Sequence, residues 1–271
     1  MRTIVHLSDV HFGRLDPGLV DPLVETIQGI RPDLVALSGD LTQRARESQF
    51  RAARAFIDRL ALPVLVVPGN HDVPLWDAAA RFLTPLARYK RHITTNLEPM
   101  HADDEMIVVG VNTARSFAWG EGRISRSQVD TIVKRLAAVP TSRLRIIVTH
   151  HPFDLPPGVG EQRLLGRAHM AMARLADAGA DLFLAGHLHV SHITHSAERY
   201  RIAGHSALIV QAGTVSTRSR GEQPSFNVLR VERPRISVGR FAWADAKRTF
   251  VETAAGEYRH TPQGWQTEGR T

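Results

Sequence analysis

Five short polar clusters occur in order along the chain: Asp9-Val10-His11, Gly39-Asp40, Gly69-Asn70-His71-Asp72, His150-His151 and Gly186-His187-Leu188-His189. Each directly follows an apolar run, and together they offer enough oxygen and imidazole ligands for two metal ions, with an Asp able to bridge them. Carboxylate, amide oxygen and imidazole without sulfur form a set that suits Mn, Fe, Zn, Co or Ni better than Ca. Such a centre points to metal-assisted hydrolysis. Two ions roughly 3.5–4 Å apart neutralise the oxygens of a phosphoryl group and lower the pKa of a water held between them, giving a hydroxide for in-line attack. Taken singly, Asp9, Asp40, Asn70 or Asp72 reads equally as a cap or turn residue. The ordered set carries the inference.

The elements that position these residues follow from periodicity. Apolar runs at 3–7, 34–37, 64–67, 107–111, 145–148, 182–185 and 208–211 predict buried strands. Between them, 21–29, 47–60, 125–138 and 167–178 have the spacing of amphipathic helices, and Ser125 with Gln128 forms a capping-box start. This alternation predicts an α/β protein with parallel pairing in at least one sheet. Residues 226–231 and 236–241 predict a hairpin around Arg233-Pro234, whose β-rich character suggests a second sheet packed on the first. Residues 76–104 predict a helix and a loop bordering the site. Every polar cluster falls at the carboxyl end of a predicted strand, where open α/β sheets bind ligands. Asp9 and His11, like His187 and His189, are two apart and point the same way in extended chain.

Composition bounds the rest. The chain of 271 residues suits one large α/β domain or two small ones, and is 43% hydrophobic and 23% charged. One domain over 1–256 with a polar tail over 257–271 is the expected organisation. The absence of cysteine excludes disulfides and thiolate metal sites. Met1 leads directly into a strand-like segment without a signal-peptide core, and no apolar run approaches about 18 residues. A cytoplasmic protein without a membrane anchor is therefore expected, and a homo-oligomer is compatible with the composition. A net charge of +7 raises nucleic acid as a partner, but the basic residues are spread along the chain as a solvated surface, so nucleic acid is not favoured, while the positive field would concentrate any phosphate-bearing substrate.

The order Asp-x-His, Gly-Asp, Gly-Asn-His-Asp, His-His-Pro and Gly-His-x-His resembles that of the calcineurin-like metallophosphoesterase superfamily. Leu7-Ser8-Asp9-Val10-His11-Phe12-Gly13 and Thr149-His150-His151-Pro152 are most similar to bacterial class III cyclic nucleotide phosphodiesterases, and Ala212-Gly213-Thr214 continues the likeness. The resemblance implies a four-layer α/β/β/α sandwich, two mixed sheets flanked by helices, with two metal ions (Mn, Fe or Zn). It assigns Asp9, His11 and His189 to one ion, Asn70, His150 and His187 to the other, and Asp40 to both. His71 matches an outer histidine near the substrate phosphate, where it would bond a phosphoryl oxygen or protonate the leaving group, with Asp72 orienting its ring. His151 is expected behind the ligands. Arg14, Arg115, Asn112, Thr113 and His192 are weaker candidates for the rim. The implied activity is hydrolysis of small phosphodiesters such as cyclic nucleotides; phosphomonoesters, nucleic acids and phospholipid headgroups are the alternatives. Specificity would lie in the loops 14–21, 76–104, 115–122 and 153–165.

Overall fold

The computed structural model describes residues 1–117, 120–202, 204–218 and 220–268. Two mixed β-sheets face each other across an apolar layer, and helices cover the outer face of each. The chain first alternates strand and helix: β1 (Arg2–Leu7), α1 (Val20–Ile30), β2 (Leu34–Leu37), α2 (Glu47–Leu60) and β3 (Val64–Val66), with the three strands parallel. Two short helices, α3 (Ala78–Leu83) and α4 (Ala87–His92), then lead to the edge strand β4 (Met100–Ala102), more structure than the helix and loop expected there. The second sheet is built from β5 (Met106–Gly110), α5 (Arg126–Ala137), β6 (Leu144–Val148), α6 (Ala168–Asp177), β7 (Leu182–Ala185), β8 (His192–His195), α7 (Ser196–Tyr200) and β9 (Leu208–Gln211). Its strand order is β4-β5-β6-β7-β9-β8, parallel except at the two edges.

The four-layer sandwich follows from the strand pleat. In β1, Ile4 faces the middle layer with Leu34, Ala36, Val108, Ile146 and Leu184, while Val5 and Leu7 face α1 and α2. On the other side Ile107, Val109 and Ile147 pack under α5 and α6. Strands covered on both faces need apolar side chains at every position, which is why they read as continuous runs instead of alternating ones. The helices bury one stripe each: Phe50, Ala53, Phe56, Ile57 and Leu60 in α2, and Val129, Ile132 and Leu136 in α5.

Two expectations are corrected. The hairpin of β10 (Ser225–Glu232) and β11 (Arg235–Ala244) does not found a second sheet; it returns to the first, whose order is β13-β12-β11-β10-β1-β2-β3. β1 has β2 on one side only, and β10 fills the other edge antiparallel, pairing Ile4 with Leu229. The residues expected as a polar tail also fold, through Glu268, as part of β12 (Thr249–Thr261) and as β13 (Gly264–Glu268). β13 is the edge strand and β12 its inner neighbour; their outward positions are polar, while Tyr258 and Trp265 turn inward. Residues 269–271 of that tail, and 118–119 of the loop 115–122, lie outside the described residues. No helix among the described residues is long and apolar enough to cross a membrane.

Candidate metal centre

Loops leaving the carboxyl ends of five strands converge at one edge of the sandwich. β1 delivers Asp9 and His11, β2 delivers Asp40, and β3 delivers Asn70, His71 and Asp72 in a single 3₁₀ turn. β6 delivers His150 and His151, and β7 delivers His187 and His189. Five of these residues hold left-handed backbone: Asp9 (φ 54°), His11 (48°), Asp40 (53°), His187 (74°) and His189 (60°). Such conformations cost about 1–3 kcal/mol each and persist where the surroundings over-determine them, which is typical of functional sites. Gly69 lets the backbone approach the centre, because a Cβ there would strike the Asp40 carboxylate.

The hydrogen bonds behind the rings decide which nitrogen faces the centre. His11 Nδ1 lies 3.3 Å from the Thr42 carbonyl, His189 Nδ1 2.8 Å from the Arg218 carbonyl and His150 Nδ1 2.8 Å from the Ser38 carbonyl. A carbonyl oxygen only accepts, so each Nδ1 carries the proton and each Nε2 presents a lone pair. His11 Nε2 and His189 Nε2 are nevertheless 3.1 Å apart, and lie 3.5 and 3.0 Å from Asp9 Oδ1. Asp9 Oδ2 accepts from Ser8 Oγ (2.6 Å) and the His187 amide (2.8 Å), while the buried Oδ1 has no hydrogen-bond donor among the described residues. Three electron-pair donors aimed at one buried point repel one another unless a cation stands between them. The second group repeats the pattern: His150 Nε2 lies 3.0 Å from Asn70 Oδ1 and 3.4 Å from Asp40 Oδ1, and His187 Nδ1 lies 3.0 Å from Asn70 Oδ1. Asp40 faces both groups, since its Oδ2 is 3.7 Å from His11 Nε2. The residues therefore fit two cations with one shared carboxylate.

Electrostatics agree. Burial pushes the Asp9 and Asp40 carboxyls up, but the surrounding histidines outweigh it and hold both well below the usual carboxylate range. Burial pulls His187 down to about 3. It pulls on His150 too, yet the Asp40 carboxylate overrides it and raises that ring to about 9. The centre thus demands positive charge next to Asp40, which a metal ion supplies more fully than a proton.

His71 stands beside this arrangement, edge-on to His11 with ring centroids 4.9 Å apart. Its Nδ1 meets the Gln43 carbonyl at 2.9 Å, so Gln43, and not Asp72, orients the ring. Adjacent residues of a 3₁₀ turn point apart, and the Asp72 carboxylate turns back to accept from the amides of Leu41 (3.2 Å), Thr42 (2.9 Å) and Gly69 (3.0 Å) and from Thr42 Oγ1 (3.0 Å). It ties the Asp40 loop to the Asn70 loop. His151 joins His150 and His187 in a buried three-imidazole group, with Nδ1 2.8 Å from Thr113 Oγ1.

Of the rim candidates, Arg115 spends its guanidinium on the carbonyls of Asn112 and Ala114 and on Gln128, Asn112 caps a turn, and His192 lines a separate groove beside β10 and β11. Arg14 is exposed, with its carbonyl accepting from Thr217. The arginine that does reach the centre is Arg218, whose Nη1 is 2.8 Å from His71 Nε2 and 3.4 Å from His11 Nε2. Nothing in the local pattern distinguished it, because its loop follows β9 and folds back over the β1 loop through the Thr217–Arg14 bonds. Next to His71 lies a recess of about 200 Å³ lined by Gln43, Arg44, Leu75, Arg81 and Gly120 among others.

A family model described as calcineurin-like phosphoesterase matches residues 2–191. The chain is 34% identical over 80 residues to glycerophosphodiester phosphodiesterase GpdQ of Enterobacter lignolyticus, covering 26% of this chain and 29% of that protein. It is 26% identical over 215 residues to a cAMP/cGMP dual specificity phosphodiesterase of Mycobacterium tuberculosis, covering 69% of this chain and 62% of the relative. Both matches span less than two thirds of the relative's length. Among solved structures, a dimetal phosphatase from Danio rerio superposes with a TM-score of 0.65 at 14% identity, over 93% of this chain and 98% of that one, a likeness of fold.

Proposed function

We infer the activity from one premise: the chain belongs to the calcineurin-like phosphoesterase family. The protein is a metal-dependent phosphoric ester hydrolase, with small phosphodiesters as its substrates. The observation that carries this reading is the pair of donor groups that share Asp40, each with lone pairs facing a common point. Asp9, His11, Asp40 and His189 would hold one ion, and Asp40, Asn70, His150 and His187 the other. Mn, Fe and Zn each suit the set. When bound, the ions neutralise the phosphoryl oxygens and activate the attacking water.

The chain's own residues do the positioning. Ser8 and the His187 amide hold Asp9 so that one oxygen stays free. The carbonyls of Ser38, Thr42 and Arg218 fix three imidazoles in the tautomer that ligates. Asp72 keeps the loops carrying Asp40 and Asn70 in register. The recess beside His71 receives the organic part of the ester. A diester is supported by the two relatives, one a glycerophosphodiester phosphodiesterase and one a cAMP/cGMP phosphodiesterase.

Metal-reconstituted protein should hydrolyse bis-p-nitrophenyl phosphate, a glycerophosphodiester or a cyclic nucleotide at least about tenfold faster than p-nitrophenyl phosphate, by kcat/KM. Asp40→Ala should lose that turnover. Monoester turnover far above diester turnover would overturn the substrate class, and full activity in the Asp40 variant would overturn the shared-carboxylate centre.

A further inference from the structure

Arg218 contributes to the centre twice. Its carbonyl accepts from His189 Nδ1, and its half-buried guanidinium reaches across to His71 and His11. The direction of the His71 contact follows from the Gln43 carbonyl, which requires the His71 proton on Nδ1. His71 Nε2 therefore accepts from Arg218 Nη1. The ring acts as a strut that aims a guanidinium at the space over His11.

That placement is costly on its own. A guanidinium 3.4 Å from the His11 lone pair shares a ligand atom with the site that fits a cation, and two positive centres so close repel unless an anion lies between them. Arg44, whose guanidinium lies over the exposed Trp76 ring, adds a further positive group beside His71 in the adjoining recess. A tetrahedral oxyanion resolves the conflict, since guanidinium presents five donors in a planar fork matched to paired phosphoryl oxygens.

We propose that Arg218, aimed by His71, is the protein's own binding group for the phosphoryl oxygens, and that with ions in place it turns its donors from His11 to the substrate. The assignment rests on the phosphoester reading above. His71 is then a positioning residue, and Arg218 touches substrate.

The test is binding of inorganic phosphate, which requires no turnover. Calorimetry on metal-loaded wild type, Arg218→Gln and Arg218→Lys should show phosphate affinity falling by about tenfold or more in the Gln variant and less in the Lys variant. Bound metal per chain should stay at the wild-type level, because the His189 contact is made by the backbone. Arg174→Gln removes the same charge from an ion pair with Asp130 on the surface and should leave phosphate affinity unchanged. Three results overturn the assignment: phosphate affinity within about twofold of wild type in Arg218→Gln, loss of metal in that variant, or no phosphate binding by the wild type. A wild type that binds metal and phosphate but hydrolyses no ester overturns the hydrolase reading and leaves Arg218 as an oxyanion group.

Discussion

His6 lies fully buried in β1 with Nε2 2.9 Å from Ser38 Oγ, and burial pushes its pKa down to about 3. In the unfolded chain the same imidazole titrates near 6.5, so between those values the unfolded state binds a proton that the folded state refuses. Stability therefore rises with pH through this window and falls as acid is added. Between pH 7 and pH 5 the metal-free protein should lose about 2 kcal/mol of unfolding free energy through His6 alone. Urea titrations of wild type and His6→Gln at both values read this difference, and equal losses would show that His6 does not carry it. The site is subtler at this scale than its residue types suggest. Asp72 sits next to His71 in sequence, which invited a contact that the turn geometry forbids, and Arg218 is one of many arginines, with side-chain partners, His11 and His71, that are distant in sequence.

The helix α5 covers the outer face of the second sheet through Val129, Ile132 and Leu136, and its start is fixed by Ser125. Ser125 Oγ accepts from the Gln128 amide at 3.1 Å, and Gln128 Oε1 returns the bond to the Ser125 amide at 2.9 Å. Ser125→Ala should cost about 1 kcal/mol of stability, read as a lower urea midpoint with an unchanged m-value. No shift would mean that tertiary packing alone sets the helix start. Helices of this kind were legible because period and cap agree, and α2 was readable at both ends. Strand existence was legible too, but pairing was not. An apolar run says that both faces are covered without saying by which strand, so the β10–β11 hairpin was placed in the wrong sheet. In β12 and β13 the polar residues outnumber the inward Tyr258 and Trp265, and strands of that composition at the end of a sheet look like tail.

Over the whole molecule, the proposed donors come from both sheets: Asp9, His11, Asp40 and Asn70 from the first, His150, His187 and His189 from the second. Bound ions thus clamp the sandwich at one edge, while Trp265 of β13 clamps another by donating from Nε1 to Asp181 at 3.0 Å. Removing metal from protein kept in free metal at about a hundred times the dissociation constant should withdraw about 2.7 kcal/mol for each ion, about 5 kcal/mol for two, a fall in Tm of about 10–20 °C. Scanning calorimetry with and without chelator measures it, and Asp40→Ala should respond far less. An unchanged Tm in wild type would mean that the two sheets are not joined through metal. The order of synthesis gives the β1–β10 pairing a further consequence. A ribosome adding about 5–20 residues per second releases β10 roughly 10–45 s after β1. All seven residues proposed to hold metal have emerged by then, yet the apolar strand at the middle of the first sheet still has an open edge, the template for intermolecular pairing. The proposed ligands are thus all made before the strand that carries the first of them is shielded from other copies of the chain.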